Sequence, residues 1–402
     1  MRKLSDFPVL DGAWPILGHM GEMYRRFPSL CQRGIDAHGP LFWVLGGPGA
    51  RQLMYAAPSA LGLLKNPAVS TSFYTEGFEA LLGNTIFAMD GDQHRRVRQA
   101  ITPPFTPQRV RASDIVTVVT DAFERRLDAW ARAGTFDIVD QAREMTLEII
   151  FRVVGVPVRD LDEWRKQYNR FILAGIPSRG EARGPIHWYA MRARRWIDAR
   201  LVAIVDELRA RKETSTLVGA IANGKDETGA FLPRDLVVAN LRILVFAGHE
   251  TSASSIAWTA MHFAAAPKLQ RRAMAEVTGP DGALLETEEL TALATDGGRF
   301  TFAEAMFREA LRMYPTVHSV IRRVKADIEV DEGIIPAGSL LNVPFVHLLR
   351  DPQRFPSPES FDPDRWKERP RPGTIETAMF GGGPHFCLGY HIAIVEGTLF
   401  TL

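Results

Sequence analysis

Cysteine is nearly absent from this sequence. Among 402 residues only Cys31 and Cys387 occur, which is too few for a disulfide framework and indicates a reducing, cytoplasmic compartment. Two cysteines also cannot supply the ligands of a four-cysteine zinc or iron–sulfur site. Cys31 lies in a run of alternating apolar and polar residues with helical character, so we expect it to be a small buried hydrophobe.

The sequence also lacks long apolar runs and an excess of charge of either sign. The stretch Leu241–Gly248 is typical of its apolar runs and contains Arg242, and Met1–Leu10 has no signal-peptide core. We therefore expect no membrane association. The net charge of +1 argues against a nucleic-acid partner, which would need a basic excess. A hydrophobic content of 46% with 24% charged residues is typical of a globular protein with a sizeable core.

What the sequence does contain is a glycine-rich stretch around its second cysteine, Phe380–Gly389 (FGGGPHFCLG). Four glycines in these ten residues allow positive φ angles and a close approach to something large. A backbone coiled in this way aims N–H groups at the Cys387 sulfur, which favours thiolate over thiol. The simpler alternative is a glycine-rich turn around a buried free cysteine. A haem iron, by contrast, needs only one axial thiolate, which a single cysteine can supply.

The pattern Phe-Gly-x-Gly-x-His-x-Cys-x-Gly resembles the haem-binding loop of the cytochrome P-450 superfamily. Within that superfamily, the lack of a long apolar run indicates a soluble bacterial-type member. The resemblance implies that haem b (iron protoporphyrin IX) is bound, with the Cys387 thiolate as axial ligand. It also places four further residues against the cofactor, namely Phe380, Gly381, His385 and Gly389. The expected fold is mainly α with small β-sheets, a triangular prism whose long central helix crosses the haem.

Two basic residues lie one helical turn apart, because His94 and Arg98 in the segment Gly91–Gln99 share one face of a helix. Taken alone, this pattern is equally consistent with a solvated basic face. Haem, however, carries two propionates, and buried carboxylates need cationic hydrogen-bond donors. The resemblance implies that His94, Arg98 and the later Arg322 bind the propionates, with His385 as a fourth candidate.

A long helix is predicted to begin near Pro233 and to end before Pro267, because prolines mark helix boundaries. Roughly thirty residues at about 1.5 Å each would span about 45–50 Å. Near its middle, Ala247–Ser252 (AGHETS) brings together residues that disfavour helix. Such a break in propensity marks either a packing kink or a functional site.

The same six residues resemble the oxygen-binding groove of the superfamily. Under this resemblance Ala247 and Gly248 leave room above the iron. Thr251 would hydrogen-bond dioxygen or its water, and Glu250 would supply protons. We expect the remaining polar residue, His249, to be structural.

Glu309 and Arg312 lie three residues apart on the next predicted helix, which opens with the capping box Thr301–Glu304 and ends at Pro315. A pair at this spacing is usually a surface pair of little energetic weight. It resembles the Glu-x-x-Arg element of the superfamily, in which the pair is buried together with a later arginine, here Arg365. The resemblance therefore implies a structural triad behind the haem loop.

The substrate is expected to be apolar, because many aromatic and aliphatic residues fall in segments that border the pocket in the superfamily. Ser319–Pro344 alternates and turns as a small sheet does, and Phe171–Pro185 corresponds to a mobile lid over the channel. The expected pocket residues are Phe73, Phe78, Leu82, Ile86, Phe87, Phe171, Val317, His318 and Val320.

We expect residues 1–402 to form a single cytochrome P-450 domain. Members of the superfamily usually continue for several dozen residues beyond a point equivalent to Leu402. The expectation is therefore that the natural chain extends further, and the alternative is an unusually short member.

These features together predict a monooxygenase that inserts one atom of dioxygen into an apolar small molecule, by hydroxylation or epoxidation. No flavin or nicotinamide fingerprint follows a strand, so electrons would come from a ferredoxin or flavodoxin-type partner and its reductase. Basic residues at 95, 96, 109 and 111 form either a docking surface or a solvated face, and a monomer is expected. The alternatives are a haem-thiolate isomerase, dehydratase or peroxygenase, against which Glu250-Thr251 argues, and a non-catalytic haem sensor or sequestering protein.

Overall fold

The computed structural model describes residues 7–47, 50–76, 83–175, 184–296, 301–369 and 372–402. In chain order, its helices are α1 (Met20–Arg25), α2 (Phe27–His38), α3 (Ala60–Leu63), α4 (Gly91–Ile101), α5 (Pro107–Ala112), α6 (Ile115–Ala133), α7 (Ile138–Val153), α8 (Leu161–Phe171), α9 (Pro185–Ala210), α10 (Leu217–Ala222), α11 (Arg234–Ala265), α12 (Pro267–Glu276), α13 (Thr287–Thr295), α14 (Phe302–Met313), α15 (Phe345–Leu348) and α16 (Tyr390–Thr401). Its strands are β1 (Leu41–Leu45), β2 (Arg51–Tyr55), β3 (Val69–Ser70), β4 (Val320–Val324), β5 (Ile328–Val330), β6 (Gly333–Ile335) and β7 (Leu340–Val343).

The chain folds into two compact units, each assembled from three separate segments. The first unit comprises Met1–Phe73, Leu311–Phe361 and Arg371–Cys387. The second unit comprises Tyr74–Ala310, Asp362–Pro370 and Leu388–Leu402. Within the described residues, no helix is both long enough and apolar enough to cross a membrane.

The first unit contains all of the strands named above. Its larger sheet has the order β1-β2-β7-β4-β3, in which only the β2–β7 pair is parallel, and β5 and β6 form a separate hairpin. The sheet predicted within Ser319–Pro344 is therefore present as β4 to β7. Helix α2 packs closely on this unit's core, since a Cβ at Gly34 would lie 2.1 Å from the Phe42 ring. A glycine is required there for the helix to approach the strand.

The second unit is helical around a large apolar core, and α11 is its longest helix. This helix has 32 residues and therefore spans about 48 Å, as the flanking prolines predicted. It is buried continuously from Leu236 to Ile243, a stretch whose polar members are Asn240 and Arg242. Helix α7 contacts its middle, where a Cβ at Gly248 would lie 3.3 Å from Ile150 Cδ1.

Candidate functional site

The glycine-rich loop before Cys387 is held in one conformation by its own backbone. The Cys387 N–H donates to the Phe380 carbonyl oxygen at 2.8 Å, which closes the loop. Gly381 and Gly383 have φ angles of +83° and +63°, a region that disfavours residues with a Cβ. At Gly383 a Cβ would also lie 2.3 Å from the Leu64 carbonyl oxygen. The glycines are therefore needed to shape the loop that presents the cysteine.

The two cysteines have different surroundings. Cys31 on α2 is completely buried, and this burial raises the pKa of its thiol to about 12. Such a thiol stays protonated and is a poor metal ligand. Cys387 is half-buried and lies two residues after the three-residue turn Gly383–His385, and α16 begins three residues later at Tyr390.

Gly389 follows this loop and is not required by the protein's own packing. Its φ of −82° suits any residue, and a Cβ at this position would meet no other atom within 4 Å among the described residues. The open space at this glycine leaves room for a ligand to approach the backbone. The position therefore fits a flat group such as haem.

Helix α4 places His94 and Arg98 as the spacing predicted. His94 is buried, and Arg98, one turn later, is half-buried. The neighbouring arginines lie elsewhere on the helix, where Arg95 pairs with Glu227 at 2.6 Å and Arg96 with Asp226 at 2.6 Å. His94 and Arg98 are therefore withdrawn toward the interior. The two arginines between them are neutralised at the surface.

Arg322 and His385 belong to the first unit. Arg322 on β4 is only 7% exposed, and its Nη1 donates to the main-chain carbonyl of Ile321 at 2.9 Å. His385 is half-buried in the cysteine loop. A buried guanidinium needs a compensating anion or several acceptors, which suits a carboxylate ligand for Arg322.

The centre of α11 is more accessible than the buried stretch Leu236–Ile243 that precedes it. Ala247 is exposed and Thr251, one turn later, is half-buried, whereas His249 between them is buried. The Thr251 hydroxyl donates to the Ala247 carbonyl at 2.6 Å, and Ser255 repeats the pattern by donating to Thr251 at 2.8 Å. The accessible face of α11 therefore carries the Ala247 methyl group and, one turn later, the Thr251 hydroxyl, whose orientation is fixed.

Glu250 lies next to this face and is held from helix α7. Its Oε2 accepts from Arg143 Nε at 3.2 Å, and both side chains are about half exposed. The same helix contacts His249, whose Nε2 lies 3.0 Å from the Arg143 carbonyl oxygen. The carboxyl group of Glu250 is thus accessible to solvent and has a fixed cationic neighbour, Arg143.

Glu309 is completely buried and saturated with hydrogen bonds. Its carboxylate accepts from Arg365 Nε at 2.9 Å, from the Asp362 N–H at 3.0 Å and from Trp366 Nε1 at 3.0 Å. Arg312, also completely buried, donates to the carbonyls of Leu349 and Ser360. Both members of the Glu-x-x-Arg element are therefore interior residues, not a surface pair.

The expected pocket residues fall into different environments. Phe87 is exposed and contacts Tyr74 edge to face, and the Ile86 N–H donates to Asn240 Oδ1 at 2.9 Å. Phe171 is completely buried in the core, so in this structure it is not available to a ligand. Phe73 is half-buried, Val317 and His318 are exposed and Val320 is buried, whereas Phe78 and Leu82 lie outside the described residues.

Sequence reasoning missed three contacts of these residues. Arg143 is 107 positions away from Glu250, and Ser252 donates to Glu396, 144 positions away, at 2.7 Å. Trp366 binds Glu309 in addition to the expected arginine. Neither Arg143 nor Glu396 belongs to a local motif, so no signal in the sequence marked them.

Comparisons with known proteins identify the family of this chain. A family model described as Cytochrome P-450 matches residues 8–173 and 187–402. The Cytochrome P-450 BJ-4 homolog of Sinorhizobium fredii is 32% identical over all of this chain and 88% of its own length. The cyclooctat-9-en-7-ol 5-monooxygenase of Streptomyces melanosporofaciens is 29% identical over 96% of this chain and 86% of its own length.

A solved structure shows the same fold. The heme domain of cytochrome P-450DA superposes with a TM-score of 0.84 and 19% identity, covering 98% of this chain and 89% of its own. The family match over nearly the whole chain implies haem with a cysteine thiolate axial ligand, dioxygen and an external source of electrons. This chain therefore belongs to the cytochrome P-450 family and is a haem-dependent monooxygenase.

Proposed function

We propose that Cys387 is the cysteine that provides the axial thiolate. It is the half-buried cysteine, at the end of a loop that only glycines can form, while Cys31 is buried with a strongly raised pKa. Phe380, Gly381, His385 and Gly389 would border the same face of the cofactor. A thiolate ligand donates electron density to haem iron and favours cleavage of the O–O bond.

The haem propionates are assigned to His94, Arg98 and Arg322, with His385 as a further donor. The support is chemical, since each of His94 and Arg322 is a basic side chain withdrawn from solvent. Carboxylates with charge-assisted hydrogen bonds compensate such groups. Arg95 and Arg96 are not assigned this role, because both are exposed and pair with acidic residues at the surface.

Proton delivery is assigned to Glu250 and Thr251, with Ala247 and Gly248 leaving space beside them. Glu250 reaches solvent and so can take up a proton, and the Thr251 hydroxyl can pass one on or hold a water. The hydrogen bond from Thr251 to the Ala247 carbonyl fixes where that hydroxyl lies. This fixed hydroxyl, at the accessible centre of a buried helix, is the observation that carries the proposal.

The test is the amount of product formed per reductant consumed by Thr251→Ala. We expect haem content, fold and substrate binding to be retained, while reductant is diverted to hydrogen peroxide. Product per reductant should fall at least about tenfold, a bound set below the roughly 10²–10⁴-fold that a positioned proton donor contributes. Hydrogen peroxide supplied directly should restore much of the product. Thr259→Ala is the matched control, because Thr259 makes the same type of bond to the Ser255 carbonyl, at 2.8 Å, two turns further along α11.

Coupling is the amount of product formed per reductant consumed. Unchanged coupling in an active Thr251→Ala preparation would contradict the proposed proton path. Equal losses in Thr251→Ala and Thr259→Ala would mean that the effect comes from the helix and not from the hydroxyl. Product formation that does not depend on dioxygen would instead favour a haem-thiolate isomerase. The absence of any product with any reductant would favour a haem sensor.

The substrate is proposed to be an apolar small organic molecule that undergoes hydroxylation or epoxidation. Exposed apolar side chains at Phe87 and Val317 support this class. The name of the Streptomyces relative, a monooxygenase acting on cyclooctat-9-en-7-ol, points in the same direction. A panel of hydrophobic ligands screened through the haem difference spectrum should give hits among apolar compounds, and hits confined to charged compounds would overturn the assignment.

The electron donor is proposed to be a ferredoxin or flavodoxin-type protein with its reductase, acting on a monomer. The bacterial relatives support a partner of this kind, and the two free cysteines suit the reducing cytoplasm. Arg95 and Arg96 pair with acids, and Arg111 lies 4.0 Å from Asp296 Oδ1, so Arg109 is the better docking candidate. Arg109→Glu should slow reduction by the partner but not by dithionite, and an equal effect on both would exclude docking.

A further inference from the structure

The His249 ring lies beside the proposed proton donor, and its two nitrogens have different surroundings. Nε2 lies 3.0 Å from the main-chain carbonyl oxygen of Arg143. A carbonyl oxygen can only accept a hydrogen bond, so in the neutral ring the proton is on Nε2. Nδ1 is then left with a lone pair and acts as an acceptor.

This acceptor nitrogen faces Glu250. Nδ1 lies 3.8 Å from Oε1 of Glu250, and it is buried without a hydrogen-bond partner in the described part of the chain. Two acceptors in this arrangement do not attract each other, but they form a hydrogen bond once the carboxyl group carries a proton. The separation exceeds hydrogen-bond length by about 1 Å, and the Glu250 side chain, 44% exposed, has room to close it.

Helix α7 fixes both residues from the other side. Arg143 Nε donates to Oε2 of Glu250 at 3.2 Å, and the Thr146 hydroxyl donates to the His249 carbonyl at 3.2 Å. From α8, the Tyr168 ring contacts the imidazole edge to face, with the ring centroids 5.4 Å apart. Among the residues that the structure describes, the titratable or charged groups that face His249 are therefore Arg143, Tyr168 and Glu250.

These neighbours keep the ring neutral. Burial lowers the pKa of His249, and the negative charge of Glu250 opposes this only in part. Burial also raises the pKa of Tyr168 above its usual range, so its hydroxyl does not ionise. At neutral pH the imidazole therefore presents its Nδ1 lone pair to the carboxyl group.

We propose that His249 is a positioning residue for proton delivery, whose Nδ1 accepts a hydrogen bond from Glu250 while that carboxyl group carries the proton destined for Thr251. The proton enters from solvent at the exposed carboxyl, is held at Oε1 and leaves toward the Thr251 hydroxyl. The imidazole keeps its own proton on Nε2 throughout and is neither oxidised nor consumed. This inference rests on the proposed roles of Glu250 and Thr251.

The first test is the pH dependence of product per reductant in the holoenzyme. His249→Phe keeps a ring against Tyr168 but removes both nitrogens, whereas His249→Gln keeps a donor and an acceptor. Loss of the acceptor should move the pH at which coupling is half lost downward by about one pH unit, the size expected for one hydrogen bond to a titrating group. His249→Gln should lie between His249→Phe and the unmodified protein, with the substrate KM unchanged in both.

The second test requires no turnover. Nitrogen NMR of the diamagnetic ferrous carbonyl form should show the Nε2-protonated tautomer of His249. Glu250→Gln, whose amide donates permanently, should shift the Nδ1 resonance toward that of a hydrogen-bonded acceptor. An Nδ1-protonated tautomer would overturn the proposal.

The proposal would also be overturned if the pH profile of His249→Phe superimposed on that of the unmodified protein or differed from it only by a constant factor. His249 would then have only a structural role. Thr251→Ala distinguishes a failure of the His249 proposal from a failure of the proposed function. If Thr251→Ala uncouples as expected while His249→Phe does not shift the profile, only this inference fails. If Thr251→Ala does not uncouple, the proposed function itself fails.

Discussion

Glu396 should make the stability of this protein fall as the pH rises from mildly acidic to neutral. The side chain is buried in α16, where its carboxyl group accepts a hydrogen bond from the Ser252 hydroxyl at 2.7 Å. Burial raises the pKa of Glu396 from 4.5 to about 7, although the serine hydrogen bond opposes the shift. Between these two values the folded protein holds a proton that the unfolded chain has released. Linkage then lowers the free energy of unfolding by about 1.4 kcal/mol per pH unit, about 3 kcal/mol over the window.

Glu396→Gln tests this directly, because glutamine keeps the shape and stays neutral at every pH. The variant should match the unmodified protein near pH 4.5 and exceed its free energy of unfolding by about 3 kcal/mol above about pH 7. Denaturant unfolding of the holoprotein, followed by far-ultraviolet circular dichroism from about pH 5 to about pH 8, measures the difference. Glu288→Gln, on the exposed first turn of α13, is the matched control. Stability curves of Glu396→Gln and the unmodified protein that run parallel across this range would refute the reasoning.

Two further predictions concern retention of the cofactor and stability of the fold. Arg98→Ala should lose haem in competition with apomyoglobin faster than Arg95→Ala, because Arg95 is already paired with Glu227 and Asp92; equal rates would mean that only general charge matters. Glu309→Gln should lower the free energy of unfolding by about 3–5 kcal/mol, because it leaves the buried Arg365 guanidinium without its counter-charge. A loss below about 1 kcal/mol would show that the Glu309 network has no stabilising weight.

Much of the fold could be predicted because local chemistry determines it. Prolines at 233 and 267 bracket α11, and the run of β-branched residues and turns after position 319 gave the strands of the first unit. The cysteine loop was recognisable because its glycines are required by φ angles and close contacts within a few residues. Such features depend on neighbours in sequence, so a pattern can reveal them.

Contacts between distant segments could not be predicted in this way. The N-terminus of α14 illustrates the point. Thr301 Oγ1 accepts from the Glu304 N–H as a capping box requires, but the Phe302 and Ala303 N–H groups donate to the carboxylate of Glu276 on α12. Which distant carboxylate reaches a helix end depends on how helices pack, and no spacing in the sequence encodes that.

The pocket residues show a second limit. An apolar residue such as Phe171 is compatible with either a core or a ligand surface, since both remove it from water for the same reason. The structure places Phe171 in the core and leaves Phe87 exposed. Composition alone does not separate these outcomes, because burial depends on the tertiary packing around each residue.

The central claim, that Cys387 supplies the thiolate, is tested most directly by the absorption spectrum of the reduced carbonyl complex. Cys31→Ala should keep the red-shifted band that a thiolate ligand produces, because the Cys31 thiol is buried and protonated. Cys387→Ser should bind haem without that band. Retention of the band in Cys387→Ser, or its loss in Cys31→Ala, would contradict the account.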